Sequence, residues 1–427
     1  MTASIETSLV SDLRSQFPSL SSSGPTGRPA IFLDNPGGTQ VPDSVIRAMS
    51  DYLSTSNANT GGPFATSQRT DAMMMTARQA AADLLNAPSP SEVMFGANMT
   101  TLTFSLSRAI GRTLGAGDEI VTTALDHEAN IAPWTMMAED RGAVLRCVDV
   151  RRDDCTLDMD QLAAMITPRT RVVSVGYASN ATGTINNIRH VIRLAHAVGA
   201  WVFIDAVQFA PHGLIDVQEL DCDFLACSAY KFFGPHAGLL YGKRSVLESL
   251  PVDKVRPQKD VAPYRFETGT LNHEGIAGTA AAVDYLASIG RLVAGSPSDL
   301  DRRAALKESF GWIRTHEMGL FDRLLTGVEQ IPGVTIWGIT DRARFAERGP
   351  TLCFTWPVMT PLETATWLGQ EGVYVWDGDY YATTLMERLG LAPDGAVRVG
   401  LAHYNTEAEV DRVLERLNDA AARKTVS

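Results

Sequence analysis

The chain has 427 residues, 45% hydrophobic and 20% charged, with a formal net charge of -12. That length exceeds one ordinary core and predicts a large and a small domain. The acidity and the lack of basic patches argue against a nucleic-acid partner, and no apolar run reaches the roughly 20 residues of a bilayer span, so no membrane is expected.

Residues 1–30 read as an N-terminal arm that packs with the small domain. It has one short amphipathic helix (Ile5, Leu9, Val10, Leu13), then the linker SLSSSGPTGRP. Its opening, MTASIETSLVSDLRSQFPSL, has no basic start, apolar block or cleavage site, which predicts the cytoplasm. A helix over 43–53 follows Pro42-Asp43, with Val45, Ile46, Met49, Tyr52 and Leu53 on one face.

From about 90 to 245 short apolar runs alternate with helix-like segments such as HVIRLAHAVGA. The runs are EVMFGA, EIVTTAL, VLRCVDV, RVVSVGYAS, WVFIDAV, FLACSAY and GLLYGK. Near-continuous apolar strands separated by helices predict an α/β domain over 31–290, with a mainly parallel seven-stranded sheet covered on both faces. Ligands of such sheets sit at the carboxyl ends of the strands. The remainder, 291–427, has a long helix-rich stretch (301–331) and then VTIWGI, PTLCFTW, VYVWDG and AVRVGL, which predicts a small α+β domain. The last helix starts at a capping box, Thr406 with Glu409.

Four strand ends carry polar residues. Asp205 ends WVFIDAVQ; a buried carboxylate there needs a positive partner, such as a protonated pyridine nitrogen, or else caps the next helix. Gln208 lies three residues on. Lys231 follows FLACSAY among apolar and aromatic residues, where burial lowers an amine pKa, as imine chemistry requires. Ser228, three residues earlier, can donate to a phosphate. His127, in ALDHEANIAPW, can stack on a flat ring or be a satisfied structural histidine. Asn98, Thr100 and Thr101 form a strand-to-helix turn of the kind that binds anions. There is no GxGxxG after a strand and no GxxxxGK[ST], so a nicotinamide dehydrogenase or nucleotide-triphosphate site has little support. The five cysteines (Cys147, Cys155, Cys222, Cys227, Cys353) include no CxxC and the eight histidines no HExxH, so no metal site is expected.

His127, Asp205, Gln208, Ser228 and Lys231 follow the order and approximate spacing of the class V aminotransferase superfamily. The likeness runs from FLDNPGG to RVGLAHYNTEAEVDRVL and is nearest to the cysteine desulfurase and selenocysteine lyase branch, in a desulfurase-like subgroup. The resemblance implies a pyridoxal phosphate (PLP) enzyme of fold type I acting on a small amino acid. Lys231 is implied to carry the cofactor as a Schiff base and later to shuttle the α-proton. Asp205 would pair with the ring nitrogen, Gln208 with the phenolic oxygen, and His127 would stack on the ring. Thr100, Thr101, Ser228 and Tyr230 would serve the phosphate. Thr270 is implied to reach the phosphate of a neighbouring subunit, hence a homodimer with shared sites. Asn180 would lie near ring oxygen and substrate carboxylate, and Arg398 would grip that carboxylate. Gly38, Trp376 and Tyr381 would shape the substrate pocket.

Two departures from the family pattern stand out. Tyr230 replaces the histidine before the lysine. The loop VWDGDYYA, with Trp376, Asp377, Asp379, Tyr380 and Tyr381, holds no cysteine where desulfurases carry their nucleophile. The expected reaction is therefore β-elimination from a cysteine-type substrate, a C–S lyase without persulfide transfer. The alternatives are an aminotransferase, an epimerase or a decarboxylating oxidative deaminase and, in another class, a non-catalytic scaffold of the same fold.

Overall fold

The structure is a computed structural model that describes residues 3–295 and 300–425. Helix α1 (Ala3–Arg14) buries Val10 and Leu13; the side chain of Ile5 lies outside the described residues. Beyond it Phe17 wedges edge-on against Tyr285 and Tyr404, with ring centroids 5.4 Å and 4.9 Å away. Arg14 pairs with Glu409 at 2.8 Å. The arm is thus tied to the end of the chain.

Helix α2 (Asp43–Thr55) forms as expected, but its buried stripe is narrower. Val45, Met49 and Tyr52 recur at i, i+4 and i+7 and face inward, whereas Ile46 and Leu53, about 100° further round, are exposed. Helix α3 (Ala65–Leu85) meets α2 through a 3.1 Å hydrogen bond between Tyr52 Oη and Thr70 Oγ1 and ends on Asn86 in the left-handed conformation.

All seven apolar runs become strands of one sheet. They are β1 (Val93–Gly96), β2 (Glu119–Thr123), β3 (Val144–Val148), β4 (Thr170–Gly176), β5 (Trp201–Asp205), β6 (Phe224–Ser228) and β7 (Gly238–Gly242), in the order β1-β7-β6-β5-β4-β2-β3. β7 pairs antiparallel with both neighbours and the other pairs are parallel, so six strands end on the same edge. Alternate side chains serve the two faces: Leu225 and Cys227 enter one core, Phe224 and Ala226 the other. Helix α4 (Met99–Gly111) follows β1 directly and starts on Asn98, whose side chain accepts from the Thr101 N–H.

Helix α5 (His273–Val293) is long and apolar enough to span a bilayer by length and composition, but 67% of that stretch is buried, packed against α2, α3 and α6 (Arg302–Glu329). α6 links two cores. Its first half (Ala305, Leu306, Phe310, Ile313) joins the large-sheet core; its second half (Leu320, Phe321, Leu324, Val328) joins the core of a second, antiparallel sheet. That sheet comprises β8 (Thr335–Trp337), β9 (Thr351–Thr355), β10 (Trp376–Gly378) and β11 (Ala396–Gly400), in the order β8-β9-β11-β10. Ile31 and Leu33 also pack into the second core, and Ile31–Phe32 pairs in parallel with Val373–Tyr374. The last helix, α7 (Glu407–Thr425), begins at reciprocal bonds between Thr406 and Glu409.

Candidate active site

The carboxyl ends of β1, β2, β4, β5 and β6 surround a cavity of about 520 Å³. Lys231 enters it from the single helical turn after β6 and is 8% exposed. Its Nζ donates to the carbonyls of Pro36 and Gly37, the latter at 3.0 Å, and stands 4.8 Å from the centre of the Tyr230 ring. Burial, and then the nearby Arg398 charge, lower its pKa to about 7. A neutral amine is therefore accessible near neutral pH.

Asp205 ends β5 with its Oδ1 accepting the Val207 N–H at 2.9 Å. It thus caps the following turn and also lines the cavity. Burial raises its pKa to about 6, against the pull of that N–H and of Lys231. No cationic side chain among the described residues forms an ion pair with it. A buried carboxylate that faces a cavity and has no ion-pair partner in contact suits a protonated ring nitrogen.

Asp126, one residue before His127, was not foreseen. It is buried, accepts from Thr123 Oγ1 at 2.8 Å, and is pushed up to about 8, first by burial. A Cβ on Gly176 would come 2.4 Å from its Oδ1, so only glycine leaves it room. The buried-carboxylate argument applied to Asp205 would also have found it, because both sit at the end of an apolar run.

Several expected residues converge here. Ser228 Oγ accepts the Met99 N–H at 2.9 Å, which leaves its own proton to donate elsewhere. Thr100 and Thr101 line the same end of the cavity, at the start of α4. The Tyr230 ring stacks on His236, 4.9 Å away. Gln208 lines the cavity but its amide donates to the Pro36 carbonyl at 2.7 Å. His127 is held neutral, its pKa lowered to about 4 by burial, and its ring lies under that of Tyr381.

A second cavity of about 640 Å³ adjoins the first, sharing Lys231, His127, Asn180 and Tyr230. Arg398 projects from β11, an interior strand flanked by β9 and β10, so it is not the edge-strand surface arginine that the sequence left open. It is 4% exposed, donates to the Asn180 carbonyl at 2.9 Å and lies 4.3 Å from the centre of the Tyr380 ring. Its Nε, and the Oδ1 of Asn180, are buried without partners among the described residues. Those orphaned atoms suit a polar ligand.

Two expected residues, Gly38 and Thr270, sit elsewhere, and two others stand at the rim. Gly37, not Gly38, lines the second cavity; Gly38 rests on the Tyr230 ring, where a Cβ would come 3.3 Å from Cδ2. Trp376 lines the cavity while 49% exposed, and Tyr381 does so while 70% exposed, so both stand at its mouth. Thr270 is not brought near Lys231. It lines a separate cavity with Arg78, Lys259 and His273.

The class V aminotransferase family matches residues 31–296 and 304–413. A cysteine desulfurase of Pectobacterium atrosepticum is 32% identical over 420 residues, 95% of this chain and 96% of its own length. An aminotransferase-like protein of Gibberella zeae is 33% identical over 426 residues, covering 96% of this chain and 97% of its own length. The crystal structure of an Escherichia coli cysteine desulfurase in its S-sulfonic acid form superposes with a TM-score of 0.81 at 28% identity, over 96% of this chain and 98% of that one.

Proposed function

The chain belongs to the class V aminotransferases and is a PLP-dependent enzyme; from that premise we propose that it is a C–S lyase, cleaving cysteine-type amino acids by β-elimination without a protein persulfide. The observation that carries this reading is the make-up of the substrate cavity. It combines Lys231, Asn180 and Arg398 with the loop Trp376–Tyr381, and among the described residues no cysteine lines it. Cys353 pairs in register with Arg398 on β9, but it is fully buried and its thiol is pushed far up by burial. The thiols of Cys155 and Cys227 are pushed up to about 12 in the same way. None suits persulfide formation.

Bound PLP would supply an electron sink for charge developing at the substrate Cα. Asp205 would hold the ring nitrogen protonated, and His127 would cover the ring. Ser228, Thr100, Thr101 and Tyr230 would hold the phosphate, with Gln208 and Asn180 near the ring oxygen. Arg398 would bind the substrate carboxylate through its unpartnered Nε side, completing the hydrogen bonding that the cavity leaves open. With the carboxylate fixed, Lys231 Nζ, neutral above about pH 7, takes the α-proton and the β-thiol leaves.

The reading includes a homodimer with shared sites. Thr270, apart from Lys231 in its own chain, would serve the neighbour's phosphate, and exposed apolar residues such as Phe64, Met75 and Tyr264 support a contact surface. It also includes the division into arm (1–30), large part (31–290) and small part (291–427), supported by the two separate sheet cores, and a cytoplasmic location. The test is a panel of S-substituted cysteines incubated with the holoenzyme. Thiol and pyruvate should appear in equal amounts. Alanine together with a protein-bound persulfide from cysteine would overturn the proposal, and keto-acid-dependent amino transfer would replace it with transamination.

A further inference from the structure

Gly176 leaves a gap in the wall of the cofactor cavity. It ends β4, which lies between β5 and β2, and it pairs in register with Asp205 on β5. In-register residues of neighbouring parallel strands project to the same face, with the strands about 4.8 Å apart. A side chain on Gly176 would therefore stand beside that of Asp205. A Cβ there would come 2.4 Å from Asp126 Oδ1. The Asp126 carboxyl, arriving from the turn after β2, thus fills the place of the missing side chain, next to Asp205. Asp126, Gly176 and Asp205 all line the cavity.

Both acids are buried, Asp126 at 3% exposed and Asp205 at 7%. Neither forms an ion pair with a cationic side chain among the described residues. Asp126 Oδ2 accepts the Thr123 hydroxyl, and the buried Asn130 side chain stands beside it. His127 is neutral, and the Cys147 thiol of β3, which feels the Asp126 charge, is itself pushed up by burial. Burial, opposed by the Thr123 hydroxyl and then assisted by the Asp205 charge, pushes Asp126 up to about 8. Two ionised carboxyls side by side repel. In the apo-protein at neutral pH the pair therefore holds one proton and one negative charge.

We propose that Asp126 is a second carboxyl for the cofactor's ring nitrogen, reaching over Gly176 to reinforce Asp205. This rests on the reading that Asp205 faces that nitrogen. A ring cation offsets both acids, so Asp126 releases its proton to solvent as the ring binds. Its pKa is then lower in the complex than in the apo-protein. The gain in affinity is absent well below the lower value, grows as pH rises, and levels off above about 8, where Asp126 is already ionised before binding. Asp126 is thus a positioning residue, acting through the charge it places beside Asp205.

The test binds pyridoxine 5'-phosphate, which keeps the ring nitrogen and phosphate but has no aldehyde to join Lys231, to the full-length apo-protein. Calorimetry gives affinity, and a pH-indicator dye counts protons. Near pH 7.5 the unaltered chain should release about half a proton more than Asp126→Asn. Its advantage in affinity over that variant should grow about tenfold between about pH 6 and pH 9. Gly176→Ala keeps both acids but displaces the Asp126 carboxyl, and should lose the same fraction of a proton; it decides the matter if Asp126→Asn does not fold. Equal proton release in all three proteins, or an affinity difference that ignores pH, would overturn the inference. Asp205→Asn separates it from the reading beneath it. Unchanged affinity in that variant would remove Asp205 from the ring nitrogen and the inference with it. Weakened affinity there, with the proton count unaltered in the other two variants, would sink the role of Asp126 alone.

Discussion

The ring of Tyr381 lies over the ring of His127, with centroids 5.5 Å apart and planes inclined by 20°. The Glu128 N–H also donates to the Tyr381 carbonyl at 2.7 Å. The β10 loop is thereby clipped to the end of β2, across the opening to Lys231. Tyr380 and Tyr381 both take positive φ, 55° and 58°, an unusual pair for side chains of this size.

That backbone makes a prediction. Tyr381→Ala loses the stack and keeps the left-handed conformation; Tyr381→Gly loses the stack and relieves the conformation. Relief of about 1 kcal/mol should offset glycine's extra unfolded-state freedom. The glycine variant should therefore be at least as stable as the alanine variant in urea unfolding, while both lose kcat/KM. A glycine variant clearly less stable than alanine would contradict the strain.

Lys231 should attach PLP with a midpoint near pH 7. Its amine is the nucleophile only when neutral, and burial brings its pKa down to about 7. Attachment to the apo-protein should be near its plateau well above pH 7 and should fall about tenfold per unit well below it. Stopped-flow absorbance measures this. A midpoint near that of an ordinary lysine would deny the burial effect. In Lys231→Ala, borohydride reduction should leave no cofactor mass on the protein.

Arg398→Lys should raise KM for amino acids by about tenfold or more, with a smaller change in kcat, because an ammonium cannot reproduce the fork that holds both the Asn180 carbonyl and a carboxylate. Steady-state kinetics with any turned-over conjugate would check this. A change confined to kcat would place Arg398 in the chemical step instead.

Gly238 packs on backbone, not on a movable side chain. A Cβ there would come 2.5 Å from the Asn98 carbonyl carbon, at the N-terminus of α4. Gly238→Ala should cost about 1–3 kcal/mol and weaken cofactor binding, because the turn carrying Thr100 and Thr101 must shift. Unfolding curves and a cofactor titration read the two effects separately; a stability loss with unchanged cofactor affinity would detach this turn from the phosphate.

The strands were legible because a sheet buried on both faces demands nearly continuous apolar runs, and each of the seven runs from EVMFGA to GLLYGK is a strand of the large sheet. Lys231 and Asp205 were legible for a related reason: polar groups that end such runs must face a cavity or be neutralised. Periodicity misled at Ile46 and Leu53, because α2 meets its neighbours along a stripe narrower than its apolar face. Local sequence also could not say that Gly37 rather than Gly38 lines the cavity, since that depends on how the NPGG turn meets Tyr230.

The sequence by itself determined the strands, the buried lysine and carboxylate, and the loop without a cysteine, since each follows from residue type and its immediate neighbours. Tertiary structure alone decided that Arg398 lies on an interior strand against Asn180 and Tyr380, that Tyr381 covers His127, and that the turn after β2 and the β10 loop line one cavity. Those residues are distant along the chain. They meet only because α6 joins both cores and sets the small sheet against the carboxyl edge of the large one.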